Sequence, residues 1–172
     1  MAPSTFEVSL TVNGGHQFRN LIRGLRAAGA GDLKRAMNKE VRLAARPVLA
    51  DLRAAAMRIP DVSAARRRDE GSIRAALARA VRIQSTQSGV RLIVDKRKMP
   101  PGSEPMVFAF EMPQGWRHPV FGSGERTRSE WTWIQQQGHP WFRPTVLRHE
   151  HTFRKAVLDA MDETARQLEA RG

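Results

Sequence analysis

Residues 138–145 read Gly-His-Pro-Trp-Phe-Arg-Pro-Thr, and this stretch determines how the C-terminal part of the chain begins. Pro140 and Pro144 restrict the backbone on either side of the bulky pair Trp141 and Phe142. Apolar residues then recur at helical spacing over residues 146–168, which predicts one long amphipathic helix. We therefore expect a stiff aromatic corner that leads directly into a C-terminal helix.

The N-terminal part changes its period from that of a strand to that of a helix. Apolar and polar residues alternate over 5–12, which predicts a strand with one buried face. From Gln17 to Met57 the apolar residues instead repeat every three or four positions. Residues 29–31, Gly-Ala-Gly, interrupt this pattern, and Pro47 falls inside its second part. Because proline removes a helical donor, we predict one long, kinked helix after the break.

The middle of the chain contains shorter elements. Its patterns predict a short helix from about residue 71, strands over 80–85 and 90–95, a short buried helix over 104–112 and a strand over 131–136. Residues 61–70 and 113–130 are rich in charges, glycine and proline, and we predict extended loops there. The chain is therefore predicted to be a single α+β domain spanning residues 1–172. Its small, mostly antiparallel sheet is packed by a long kinked N-terminal helix and a long C-terminal helix.

The charge of the chain is strongly positive. With 29 Lys and Arg against 17 Asp and Glu, the net charge is +12. This balance favours nucleic acid, an acidic protein surface or anionic lipid as partners, although a genome rich in Arg codons would also produce it. There is no cysteine, and the start of the chain lacks the features of a signal peptide. No stretch approaches the roughly 20 apolar residues that cross a bilayer, so we expect a soluble protein made without export.

No pattern in the sequence indicates a catalytic or metal site. His149 and His151 are two residues apart, whereas two histidines that share a metal on one helical face are four apart. His118 and His139 each precede a proline, which favours a turn. Asp95 and Glu104 have no identifiable acid–base partner. We expect neither an enzyme nor a cofactor, and a small hydrolase ranks last among the functions considered.

Two basic triplets could contact phosphate groups. They are Arg66, Arg67 and Arg68 in the first predicted loop, and Lys96, Arg97 and Lys98 after the strand predicted over 90–95. Neither triplet contains the interleaved aromatic residues that stack on bases. The alternatives are unspecific contact with a nucleic-acid backbone and ordinary solvated loop charges.

Three segments resemble one protein family. Ile59-Pro60 followed by Gly-Ser-Ile-Arg-Ala-Ala-Leu at 71–77 is similar to the family's proline, short loop and Gly-x-Leu-Arg-x-x-Ile pattern. Val-Phe-Ala-Phe-Glu at 107–111 resembles its aromatic-x-x-aromatic-Glu segment. His-Pro-Trp-Phe-Arg-Pro-Thr at 139–145 resembles its Gln-Pro-Phe-Leu-Arg-Pro-Ala signature. The family is that of the neck or tail-completion proteins of tailed bacteriophages, and the resemblance covers residues from about 33 to the end.

The resemblance implies a structural virion protein without catalysis, cofactor or membrane contact. It implies a homo-oligomeric ring, expected to be a hexamer, that joins head to tail around the DNA channel and is assembled in the bacterial host cytoplasm. The implied partners are other copies of the chain, head-closure or adaptor proteins, tail-terminator or tail-tube proteins, and phage DNA. The predicted interface residues are Trp116, Phe121, His139, Pro140, Trp141, Phe142, Arg143 and Pro144. We expect Phe142 in the subunit's own core and Trp141 at the subunit boundary. The alternative is a basic nucleic-acid-binding protein that acts through its arginine-rich helix and loops.

Overall fold

The structure is a computed structural model that describes residues 5–8, 15–60, 73–86, 89–120 and 132–171. Its elements follow in the order β1 (Thr5–Val8), α1 (Gly15–Ala27), α2 (Gly31–Ala44), α3 (Arg46–Met57), α4 (Ile73–Ala80), β2 (Val81–Thr86), β3 (Gly89–Asp95), α5 (Met106–Ala109), β4 (Trp116–Val120), β5 (Thr132–Gln136), α6 (Phe142–Arg148) and α7 (Glu150–Glu169). A short 3-10 helix, Lys96–Lys98, follows β3. Residues 61–70, one of the two predicted loops, lie outside the described residues.

The strands form two small antiparallel sheets. In the first sheet β3 is central and pairs with β1 on one side and β2 on the other. Strands β4 and β5 form a separate ribbon of two strands. The predicted α+β class with an antiparallel sheet is therefore confirmed.

The predicted loop over residues 113–130 is wrong at 116–120, because these residues form β4 and pair with β5. Pro119 lowers the strand signal of this segment, since proline cannot donate to a sheet. It is tolerated here because β4 pairs with only one strand among the described residues, so one edge of β4 needs no hydrogen-bond donor. Residues 121–130 lie outside the described part of the chain.

The predicted kinked helix is confirmed in α2 and α3, which together form one bent helix from Gly31 to Met57. Ala45 alone separates them, and its backbone keeps right-handed helical angles. Pro47 lies in the first turn of α3, where its missing N–H group costs little. The predicted break before this helix is also present. Gly29 adopts a φ of +67°, a conformation that glycine reaches without steric strain.

The C-terminal helix begins earlier than the apolar spacing predicts. Phe142 is already helical, and Pro144 lies within the first turn of α6, where proline is compatible with a helix. The chain then bends at His149, after which α7 continues from Glu150 to Glu169. Phe153, Val157 and Met161 form the buried side of α7, as their helical spacing predicts.

Two clusters of buried side chains make up the core. The first core cluster joins α3, α4, α6, β2 and β3 with the segment around α5. The second core cluster joins α1, α2 and α7. The bent helix contributes to both, with Val41 and Ala45 in the second cluster and Val48 and Leu52 in the first. The bent helix therefore connects the two core clusters.

Candidate functional site

The aromatic corner at 138–145 is held by a carboxylate from a distant part of the chain. Glu111 Oε1 accepts the backbone N–H groups of Trp141 at 2.8 Å and Phe142 at 2.7 Å. Glu111 Oε2 accepts the backbone N–H of Arg143 at 3.3 Å. We call this arrangement the Glu111 clasp. It joins two of the three segments on which the family resemblance rests.

The Glu111 clasp supplies the hydrogen-bond acceptors that the first turn of α6 lacks. The first N–H groups of a helix have no acceptor within the helix, and the helix N-terminus attracts negative charge. Trp141 occupies the N-cap position and makes no side-chain cap hydrogen bond. Glu111 takes over this role from 30 residues earlier in the sequence. The position of α6 is therefore coupled to that of the segment following α5.

Backbone contacts reinforce the clasp on its other side. His139 donates its backbone N–H to the carbonyl oxygen of Phe110 at 2.9 Å. At Gly138 a Cβ atom would lie 1.7 Å from the carbonyl oxygen of Met112, so the two chain segments approach too closely for any side chain. At Gly115 a Cβ atom would lie 1.9 Å from the carbonyl oxygen of Gln136. These contacts fix the start of the β4–β5 ribbon against the clasp.

The bulky pair of the corner lies inside the subunit. Phe142 is fully buried and Trp141 is 4% exposed, and both belong to the first core cluster. Their rings meet edge to face, with centroids 5.5 Å apart. Thr145 Oγ1 donates to the carbonyl oxygen of Trp141 at 2.6 Å, which stiffens the turn further. The indole Nε1 of Trp141 is buried and has no hydrogen-bond partner among the residues that the structure describes.

The expectation that Trp141 lies at the subunit boundary is therefore wrong, because its indole ring fills the core beside Phe142. The physical reason is the clasp, which turns the backbone of both aromatic residues toward the interior. Phe142 lies in the subunit's own core, as expected, and so offers no surface for an interface. The remaining interface residues stay predictions. Pro140, Arg143 and Pro144 are exposed, whereas His139 and Trp116 are half-buried. Phe121 lies outside the described residues.

Trp116 instead contacts the segment of the clasp. Its ring meets that of Phe110 edge to face, with centroids 5.4 Å apart. Beyond it, the β4–β5 ribbon exposes apolar side chains. Trp133 and Ile134 are each 42% exposed, on opposite faces of the ribbon. Arg117 lies over the Trp133 ring, 6.0 Å from its centroid.

The second basic triplet is largely engaged within the subunit. Arg97 donates to both carboxylate oxygens of Asp95, at 3.1 and 3.3 Å, and Arg82 lies 3.2 Å from the same carboxylate. Lys96 Nζ lies 3.9 Å from the centroid of the Phe108 ring. Lys98 is exposed and has no ion pair with a described residue. Of this triplet, Lys98 is the member most available to a phosphate, and Arg66, Arg67 and Arg68 lie outside the described residues.

Asp95 serves this ion-pair network rather than an acid–base couple. It is buried, and the hydrogen bond from the Arg97 side chain is the main cause that lowers the pKa of its carboxyl group. The backbone N–H of Arg97 and the charge of Arg82 act in the same direction, against the opposing effect of burial. Glu104 is half-buried and makes no ion pair with a described residue.

The histidines of the C-terminal helix do not meet each other. His149 Nε2 lies 2.7 Å from Asp51 Oδ2 of α3, while His151 is exposed. Within the described ranges, no group of three or more His, Asp or Glu side chains could hold a metal ion. No helix in the same ranges is long and apolar enough to span a bilayer.

The role of Glu111 could not be derived from local sequence rules. A helix start is normally recognised by Ser, Thr, Asp or Asn directly before it, and here the residue before α6 is Trp141. The absence of a local cap at a proline-bounded helix start was the available signal. It indicates that a cap must come from elsewhere, without indicating which carboxylate provides it.

Comparison with known proteins found no match: no protein-family model, no curated protein and no solved structure resembles the chain significantly.

Proposed function

We propose that the chain is a structural subunit of the neck of a tailed bacteriophage or prophage-derived particle. Copies of it would form a ring that joins head to tail around the DNA channel. The observation that carries this proposal is the Glu111 clasp, in which two segments with the family resemblance meet. These two segments thereby share one architectural contact, in which a carboxylate accepts three backbone N–H groups beside two buried rings.

The β4–β5 ribbon supports assembly with a neighbour. A ribbon of two strands is marginally stable by itself, and each of its strands has an unpaired edge within the described residues. Trp133 and Ile134 expose apolar surface on both faces of the ribbon. A contact with another subunit would cover this surface and stabilise the ribbon. The proposed partners are other copies of the chain, head-closure or adaptor proteins, tail-terminator or tail-tube proteins, and phage DNA.

Electron microscopy and light scattering of the purified protein test the ring. We expect closed rings, and a mass several times that of the subunit. Ile134→Asp should shift the protein toward monomers, because it places a charge on the exposed face of the ribbon. Leu147→Asp is the matched control, since Leu147 is also an exposed large apolar residue but lies on α6.

A monomeric wild-type protein that shows no rings at any protein concentration would contradict the proposal. Equal loss of rings in Ile134→Asp and Leu147→Asp would show that the ribbon is not part of the interface between subunits. A monomer that binds DNA tightly would favour the alternative, a free nucleic-acid-binding protein.

A further inference from the structure

A row of exposed basic side chains follows the bent helix α2–α3. The spacings within it are four, three, four and seven residues, which return to the same side of an α-helix. The row therefore occupies one continuous helical face, and we call it the basic row. Its members are Arg35, Lys39, Arg42, Arg46 and Arg53, all of them exposed.

The acidic residues of the same helix do not neutralise the basic row. Asp32 lies on the same side of the helix, three residues before Arg35, but its carboxylate pairs with Arg171 at 2.8 Å. Asp51 points toward α6–α7, where it meets His149. Glu40 lines the groove between α2 and α7. No carboxylate of the bent helix therefore interrupts the basic row.

The charges of the basic row are not compensated by any residue that the structure describes. None of its members forms an ion pair with a described residue, and Arg53 donates only to the carbonyl oxygen of Val81 at 3.4 Å. Helix α7 provides the contrast, because Lys155 pairs with Asp159 and Arg166 with Glu163. Like charges four residues apart on a helix repel each other. An external anion would relieve this repulsion.

We propose that the basic row binds the phosphate backbone of duplex DNA. At 1.5 Å per residue the row is about 27 Å long, with charges about 5 to 6 Å apart over its first four members. A duplex presents a similarly linear array of charge, about one phosphate per 1.7 Å of its axis. This inference deepens the proposed function, because it names the face of the subunit that would lie toward the DNA path.

Two observations favour DNA over an acidic protein or a single strand. Protein interfaces have an apolar centre, and the one large apolar residue of the bent helix that is markedly exposed, Met57, lies at its C-terminal end. Binding of single strands uses aromatic residues that stack on bases. The bent helix contains no aromatic residue, so backbone contact without base recognition is expected.

Salt-dependent binding of a fluorescent, random-sequence DNA duplex tests the proposal. Arg35→Gln/Arg42→Gln/Arg46→Gln removes three charges from the basic row. Arg154→Gln/Lys155→Gln/Arg166→Gln removes three charges from α7 and is the matched control. Five phosphate contacts predict a slope of about −4.5 for log affinity against log salt, falling to about −1.8 in the first variant. The control should retain the wild-type slope, and circular dichroism should show that both variants keep their helices.

Three results would overturn the inference. They are no duplex binding by the wild type near physiological salt, equal loss in both variants, and tighter binding of a single strand or of polyglutamate than of the duplex. Electron microscopy of the same preparations separates this inference from the proposed function. Rings that do not bind DNA contradict the basic row alone, whereas a monomer whose basic row binds DNA contradicts the ring alone.

Discussion

The carboxylate of Glu111 accepts N–H groups from three consecutive residues, and substitution at this position tests the clasp. Glu111→Ala leaves these donors without their acceptor and should lower the free energy of unfolding by about 1.5–3 kcal/mol, the range for hydrogen bonds to charged groups. Glu111→Gln should fall between wild type and Ala, because it keeps one acceptor oxygen but loses the charge at the helix N-terminus. Urea denaturation measures both effects.

Glu104→Ala is the control for this measurement. Glu104 is a half-buried acid near α5 that has no ion pair with a described residue. Its removal should change the stability little. Equal urea midpoints for Glu111→Ala and wild type would show that the clasp does not stabilise the fold.

Two substitutions of Trp141 separate the contribution of its aromatic ring to stability from that of its indole N–H group. Trp141→Ala should cost about 3–5 kcal/mol, the usual range for truncating a buried aromatic residue. Trp141→Phe keeps an aromatic ring and removes an indole N–H that has no hydrogen-bond partner among the described residues, so it should cost less than Trp141→Ala, chiefly for the cavity that the smaller ring leaves. Thermal unfolding of both variants measures the difference. Similar losses in the two would show that the indole N–H makes an essential contact.

Asp95 gives the fold a dependence on acid pH. The pKa of its carboxyl group is lowered in the folded state, chiefly by the hydrogen bond from Arg97. The stability that it contributes is therefore present above the unfolded pKa, near 3.8, and is lost as the pH falls through the lower folded pKa. Asp95→Asn should flatten the decline in unfolding free energy below about pH 4.

Urea denaturation between neutral and acid pH measures this effect. Asp162→Asn is the control, because Asp162 is an exposed carboxylate of α7 that forms no ion pair with a described residue. If the free energy of unfolding of Asp95→Asn falls toward acid pH as steeply as that of the wild type, Asp95 is not the source of this pH dependence.

At the scale of elements, the close approach of residues 110–116 and 136–139 depends on glycine. Gly138→Ala would place a methyl group 1.7 Å from the carbonyl oxygen of Met112, so the ribbon must move away from the clasp. We expect a clear loss of stability, measured as a lower unfolding temperature. Gly24→Ala is the control, because a Cβ atom at this position of α1 meets nothing within 4 Å. It should stabilise the helix by about 0.5–1 kcal/mol. Equal effects of the two substitutions would contradict the tight approach.

The elements that local periodicity defines were predictable from the sequence. The bent helix, the β2–β3 hairpin and the buried side of α7 all follow from the spacing of apolar residues. Two elements were not. Strand β4 was missed because Pro119 weakens its pattern, and the early start of α6 was missed because its cap is Glu111 rather than a neighbouring residue. Both errors arise where a contact between distant segments determines the local structure.

The candidate site shows the same division. The sequence identified the corner at 138–145 and the Val-Phe-Ala-Phe-Glu segment as notable, but not that they meet. It also placed Trp141 at a boundary, because an aromatic residue between prolines is equally compatible with a core and with an interface. Burial depends on the direction that the clasp gives to the backbone, and no local pattern encodes that direction.

At the scale of the whole molecule, the two core clusters leave distinct outer surfaces. The first core cluster supports the clasp and the ribbon, whose exposed Trp133 and Ile134 are proposed to meet a neighbouring subunit. The bent helix spans both clusters and presents the basic row to the exterior. In the proposed ring, assembly and DNA contact would therefore use different surfaces of one subunit. Charges from each copy would add along the channel, and DNA would offset them.

Electron microscopy of lysates from a phage that lacks this gene tests the central claim most directly. We predict DNA-filled heads and separate, complete tails, with joined particles restored when the wild-type chain is supplied in trans. Joined particles in the absence of the gene would contradict a role in connecting heads to tails. A lysate that lacks heads or lacks tails would contradict it as well.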